Sequence, residues 1–297
     1  MDMYQKRKVR AEKKNNDSQK SSPSTSINWY PGHMAKTKRL LKEIKHIDYV
    51  IEVIDARAPL TSKVKDMEDI IKNKPVIYIV TKMDLADFRE AKRLLDQHYA
   101  GKYILFDKEQ NNLKDQLELF IKKECLDILV KRDKKGIKND KLNGFIIGIP
   151  NAGKSTVLNR IISKRSLEVG NKPGVTKAIR PLSTSLGILY DVPGLLWPKI
   201  TSLEESYKLS LLSAINEDIL PLNEVVNYLI TFLSKEYPAN LKKRYKLEEI
   251  DLDTIYDDIG RRGGYLLKGG EIDYDRTLKA IYQDFKTGRL GRITLDK

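Results

Sequence analysis

The sequence predicts an α/β fold with a mainly parallel sheet, followed by a small all-helical region. Three observations predict it. Short apolar runs alternate with amphipathic helical patterns from Tyr49 to Gly194. A glycine-rich turn, Gly148-Ile-Pro-Asn-Ala-Gly153-Lys154-Ser155-Thr156, stands where an apolar run gives way to helical periodicity. From about Ser202 onward the pattern is helical.

Residues 1–26 mix Lys, Arg, Asn, Ser and Gln with almost no large apolar side chains. Such a stretch cannot bury enough surface to offset ordering entropy, so a disordered basic arm is expected, touching RNA phosphates or acting as a solubilising tail. Order is expected from Ile27, where Trp29, Tyr30 and Pro31-Gly32 suggest an anchored turn, and a basic amphipathic helix follows over Ala35–Lys45. Tyr49–Asp55 reads as a strand, Val64–Ile71 as a helix and Pro75–Val80 as a second strand. A helix carrying Phe88, Ala91, Leu94 and Leu95 leads to a short strand, Tyr103–Phe106. The helix Leu113–Val130 then runs into a lysine-rich linker, Lys131–Asn143. Phe145-Ile146-Ile147 is a buried strand, and Val157, Leu158, Ile161 and Ile162 fall on one face of the next helix. Ala178–Ser183 and Gly187–Asp191 can pair as a hairpin around Thr184-Ser185. In the helical region Tyr274, Leu278, Ile281, Tyr282 and Phe285 share a face, with Asp273 as N-cap.

A chain of 297 residues can build two ordinary domains. Its formal charge of +14 favours a polyanionic partner, nucleic acid first and a membrane surface second. The helical region carries Lys242-Lys243-Arg244, Arg261-Arg262, Lys268, Arg276, Lys279, Lys286, Arg289 and Arg292, and is read as an RNA-contacting face. Cys125 is the single cysteine, so no intramolecular disulfide forms and a reducing cytosol is expected. With one cysteine and three histidines (His33, His46, His98) a structural zinc site is not expected. No apolar run reaches the length of a membrane span, and no signal-peptide core follows the start.

The chemistry concentrates on the glycine-rich turn. Strand, G-x-x-x-x-G-K-S and helix together make a P-loop, whose backbone N–H groups from Asn151, Ala152 and Gly153 to Thr156 wrap a triphosphate at a positive helix end. Lys154 is placed to reach the β- and γ-phosphates and Ser155 to ligate Mg²⁺. Thr81-Lys82-Met83-Asp84, after an apolar strand, has the form of a guanine reader. Its aspartate accepts from the N1–H and 2-amino group, which adenine lacks. Asp191-Val-Pro-Gly194 has the D-x-x-G form, with the aspartate on a magnesium-bound water and the Gly194 N–H facing the γ-phosphate. Thr176, between the P-loop helix and the hairpin, is placed to close on Mg²⁺. The order is unusual: the guanine reader precedes the P-loop. That is a circular permutation, with Lys131–Asn143 as the new join.

Taken together, the chain from Ile27 onward closely resembles the circularly permuted GTPases of the ribosome biogenesis GTPase A family. The resemblance rests on Trp-Tyr-Pro-Gly-His-Met-Ala-Lys, Asp55-Ala-Arg-Ala-Pro59, the Asn-containing P-loop, Pro-Gly-Val-Thr, D-x-P-G-x-L-W-P-K and Gly-Arg-Leu-Gly-Arg. It implies a GTPase domain over 27–200 and a helical RNA- and ribosome-binding domain over 201–297. It also implies GTP and GDP as nucleotides, Mg²⁺ and K⁺ as ions, and a large ribosomal subunit precursor as partner, through rRNA and ribosomal proteins. A monomer in the cytoplasm, without membrane contact, is expected. The resemblance further implies that His33 swings into the active site as the catalytic group, because Leu195 stands where Ras-like enzymes carry a water-orienting glutamine; the alternative is that His33 caps the following helix. Asn151 is the position that holds K⁺ in potassium-stimulated relatives. Two departures from the family pattern stand out. Thr81 replaces Asn, which is expected to loosen the loop packing. Phe106-Asp107 falls where a Ser-Ala pair backs the guanine. The rival reading is a non-catalytic RNA-binding assembly scaffold with a vestigial nucleotide site.

Overall fold

The structure, a computed structural model, describes residues 32–107, 109, 112–137, 141–162, 178–197, 200, 202–216 and 218–297, leaving aside the His33 side chain. The expected N-terminal arm, the Trp29-Tyr30 turn and the loop holding Thr176 lie outside the described residues.

The chain opens on helix α1 (Gly32–Glu43) and enters β1 (Tyr49–Asp55), α2 (Glu68–Ile71), β2 (Val76–Thr81), α3 (Phe88–Tyr99) and β3 (Tyr103–Leu105). Helices α4 (Leu113–Glu124) and α5 (Leu126–Lys134) lead to β4 (Gly144–Gly148), α6 (Lys154–Ile161) and the pair β5 (Arg180–Ser183) and β6 (Ile188–Asp191). Among the described residues the sheet has six strands in the order β3-β2-β1-β4-β6-β5, parallel throughout except for the β5–β6 hairpin. β1 is buried at all seven positions, as a central parallel strand covered on both faces must be. Helix α3 covers one face, setting Ala91, Leu95 and Tyr99 against Ile54 and Val80. Met34 and Leu41 of α1, Leu117 and Ile121 of α4, and Val157 and Leu158 of α6 belong to the larger cluster.

Helix α1 starts three residues before the expected Ala35 and ends two before Lys45, and two further helices differ from expectation. The one expected over Val64–Ile71 is reduced to α2, because Asp66 adopts a left-handed backbone (φ 62°) that no helix can pass through. The one expected over Leu113–Val130 is interrupted at Cys125, and its second part, α5, absorbs the first four residues of the expected linker.

Beyond Ile200 come α7 (Leu203–Leu211), α8 (Leu222–Glu236), α9 (Pro238–Tyr245), α10 (Ile255–Gly263) and α11 (Tyr274–Lys286). Asp273 caps α11 by accepting the Arg276 N–H at 3.0 Å, as its sequence predicts. The buried cluster of the sheet runs on through Leu195, Leu196, Trp197 and Ile200 into Leu209, Leu212, Val226 and Leu229 without a break. The chain end then returns to the first half of the molecule. Ile293 N–H donates to the Leu85 carbonyl (3.0 Å) and Leu295 N–H to the Arg57 carbonyl (2.6 Å). The Asp296 carboxylate accepts from Leu60 N–H (2.8 Å), Thr61 N–H (2.9 Å), Thr61 Oγ1 (2.6 Å) and Lys208 Nζ (3.2 Å).

Candidate nucleotide site

The strand order reverses direction between β1 and β4, and in open α/β sheets the crevice beyond the carboxyl ends at such a point binds ligands. The motifs gather there. β1 ends at Asp55, β2 at Thr81, β4 at Gly148 and β6 at Asp191, and Asp55 pairs in register with Thr81.

The P-loop rises from β4 and enters α6 at Lys154, with Gly153 at its N-cap in a left-handed conformation (φ 96°). A side chain at Gly153 would be strained there and would press within 3.2 Å of Thr81. Gly148 packs still closer, since a Cβ would stand 2.7 Å from the Val53 carbonyl oxygen. Asn151 also takes a left-handed backbone (φ 59°). Ser155 and Thr156 are exposed on the first turn of α6, while Ala152 and Lys154 are buried. Lys154 Nζ donates to the Asp191 carboxylate, so P-loop cation and D-x-x-G anion satisfy each other. Gly194 lies against the P-loop so tightly that a Cβ would come within 2.9 Å of Pro150 Cα. The Leu195 N–H donates to the Gly148 carbonyl (3.0 Å), and its side chain is buried in the core.

The base-side motif meets the same loop. Thr81 Oγ1 stands 2.5 Å from the Ala152 carbonyl oxygen and 3.1 Å from that of Ile54. The substitution of Asn by Thr therefore leaves a direct bond to the P-loop where loosened packing was expected. Lys82, with a left-handed backbone (φ 58°), donates from Nζ to the Asn151 carbonyl and to Asp55 Oδ2, both at 2.6 Å. Asp84 is exposed at the rim. Phe106 is buried in the core at the end of β3, and Asp107 is exposed and accepts the Glu109 N–H at 2.9 Å.

Sequence reasoning gave no role to three residues that the fold brings here. Asp55 is fully buried, and Arg57 Nε and Nη2 donate to its two oxygens at 3.1 and 2.8 Å. Burial alone would raise the Asp55 pKa, but the Arg57 and Lys82 charges outweigh it and hold the carboxyl at about 2. The Ser213 carbonyl, just past α7, accepts from Asn151 Nδ2 at 2.6 Å. A cavity of about 340 Å³ opens between Lys82, Leu85 and Asn151 on one side and Leu212, Ser213 and Lys286 on the other. No local pattern announces these contacts, which join residues 27 and 62 positions apart. His33 is the second residue of α1.

A mainly parallel sheet, a P-loop at its switch point and a base-side motif placed earlier in the chain define a circularly permuted P-loop GTPase. The sequence profile described as "50S ribosome-binding GTPase" matches residues 143–254, which begin at the P-loop strand. The chain is 39% identical over 278 residues to the ribosome biogenesis GTPase A of Bacillus licheniformis, covering 91% of this chain and 98% of that one. It is 38% identical to that of Priestia megaterium, covering 91% and 96%. The crystal structure of GNP-bound YlqF from Thermotoga maritima shares the fold, with a TM-score of 0.59 at 23% identity over 88% of this chain and 98% of that one. The chain belongs to the ribosome biogenesis GTPase A family, and it is a GTPase.

Proposed function

We propose that this GTPase drives a late step of large ribosomal subunit assembly, acting as a nucleotide-dependent switch that binds rRNA and ribosomal proteins. The observation that carries this reading is the buried path Leu195-Leu196-Trp197, which joins Asp191–Gly194 at the phosphate end to the helices beyond residue 200. Any movement of Gly194 against Pro150 on nucleotide exchange is passed directly to those helices. On this reading 27–200 is the nucleotide domain, 201–297 the RNA-facing domain, and the protein works as a cytoplasmic monomer. Lys242, Lys243, Arg261 and Lys268 are exposed and available to phosphates. Arg244 is not, since its guanidinium donates to both oxygens of buried Asp284 at 2.8 and 2.9 Å.

At the site, Asp84 reads guanine and Lys82 supports it. Asn151, Ala152, Gly153, Lys154, Ser155 and Thr156 hold the phosphates. When a triphosphate enters, Lys154 exchanges the Asp191 carboxylate for phosphate oxygens, and Asp191 is released to order a water. No cluster of three or more His, Cys, Asp or Glu among the described residues could hold a metal alone, but a hydroxyl and a carboxylate suit Mg²⁺, which takes its remaining ligands from phosphates and water. Ser155, Thr176 and, through water, Asp191 would hold that ion, which neutralises charge developing on the phosphates. Asn151 would serve K⁺ through its amide oxygen, its NH₂ end being used by Ser213. Leu195 offers the attacking water nothing, so free protein hydrolyses GTP slowly and His33 supplies the missing group on the subunit.

The test is single-turnover GTP hydrolysis in potassium buffer, with and without large subunits. Subunits should stimulate the wild type, and His33→Ala should lose most of that stimulation with nucleotide affinity unchanged, as expected for an interaction made in the transition state. Full stimulated turnover by His33→Ala removes the histidine from the mechanism. Absence of stimulation in the wild type removes the switch.

A further inference from the structure

Asp55 and Arg57 have no part in the chemistry described so far, yet they form the most deeply buried ion pair at the site. Desolvating a carboxylate and a guanidinium is costly, and an apolar pair would close the end of β1 at less expense. The third member of the group shows what the arrangement accomplishes. Lys82 belongs to the base-reading motif, and its ammonium bridges Asp55 Oδ2 and the Asn151 carbonyl of the P-loop. Burial and the neighbouring Arg57 charge both disfavour that ammonium, and the Asp55 carboxylate opposes them. Asp84 acts electrostatically on both Arg57 and Lys82. Arg57 is itself fixed from the helical region, its Cζ 5.3 Å from the centre of the Phe285 ring and its carbonyl bonded to the Leu295 N–H.

We propose that Asp55 is a positioning residue for guanine recognition, holding Lys82 across the base-reading loop and the P-loop, and that Arg57 holds Asp55 in turn. The proposal rests on the assignment of Thr81–Asp84 as the guanine reader. Asp55 touches no nucleotide and acts through Lys82 alone.

That last statement makes a thermodynamic cycle decisive. GDP affinity is measured by equilibrium titration for wild type, Asp55→Asn, Lys82→Met and the double variant, with thermal unfolding followed separately. Asp55→Asn should weaken GDP about tenfold or more in the wild-type background, the usual scale of a lost charge-assisted bond, and less than about twofold in the Lys82→Met background. Equal losses in both backgrounds, or no loss in either, overturn the proposal, because a merely structural Asp55 would not depend on the lysine. If Asp55→Asn fails to fold, Asp55→Asn/Arg57→Gln removes both charges of the pair together and carries the same comparison. Asp84→Asn serves as the control, since it should transfer preference from GDP to xanthosine diphosphate. If it leaves GDP affinity unchanged, the base-reading assignment falls and this proposal with it. A xanthine switch alongside an additive cycle overturns the positioning role alone.

Discussion

Glu52 occupies the middle of the buried central strand, where its Oε1 accepts the Val64 N–H at 2.5 Å. Burial pushes its pKa up to about 7, against the opposing pull of that N–H and of Lys63. The folded protein therefore prefers the protonated form. From the ordinary value of 4.5 upward the unfolded chain ionises first, so stability falls as pH rises and the loss is complete above about 7. Replacing Glu52→Gln should leave stability unchanged near pH 4 and raise it by about 1–3 kcal/mol at pH 8, flattening the slope between. Denaturant titrations across that range check it, and a variant as steep as wild type would clear Glu52. Asp55 behaves oppositely. Its pKa lies below the ordinary 3.8, so its contribution is complete above that value and disappears as pH falls through about 2. Neither residue was legible in the sequence as a buried charge. In Tyr-Val-Ile-Glu-Val-Ile-Asp the apolar neighbours announce the strand, but only the covering of both faces decides where Glu52 points.

At the scale of elements, the P-loop and the D-x-x-G segment are packed backbone to backbone. Gly194→Ala would drive a methyl group to within 2.9 Å of Pro150 Cα and 3.0 Å of Pro150 N, and backbone cannot yield as a side-chain tip can. A loss of about 1–3 kcal/mol in stability is expected, together with weaker GTP binding. Chemical denaturation and nucleotide titration test the two effects, and full GTP affinity would show that the contact is not needed at the phosphate end. The strands carrying the motifs were legible because each is a short apolar run ending in a turn, and β1 matches its expected bounds. The hairpin of β5 and β6 was also legible, shorter by two residues at the start of β5 and one at the start of β6. Helix ends were less so. Nothing local marks the left-handed Asp66 that truncates α2, or the interruption at Cys125 between two stretches of good helix formers.

For the whole molecule, the net charge of +14 lies outside the helical region, where 201–297 carry 15 Lys and Arg against 17 Asp and Glu; the basic face there is local, made by the exposed Lys242, Lys243, Arg261 and Arg262. Changing these four to glutamate should weaken subunit binding and flatten its dependence on salt, by about one unit of log–log slope for each phosphate contact removed. GTP affinity of the free protein should hold, and an unaltered salt slope would mean that the basic face is only solvated. Composition made that charge legible but could not separate Arg244, which is committed to Asp284, from its exposed neighbours. Nor could it foresee the return of the chain end, since Asp296 meets Thr61 across 235 positions. That return has a consequence for biosynthesis. A polypeptide leaves the translating ribosome N-terminus first, so the loop that carries Arg57 is made early and remains without Leu295 and Asp296 until the helical region has been made. The loop at the end of β1 is thus fastened late although it is translated early. A nascent copy arrested before Leu295 lacks this clasp, and Thr61 waits for a partner made 235 positions later.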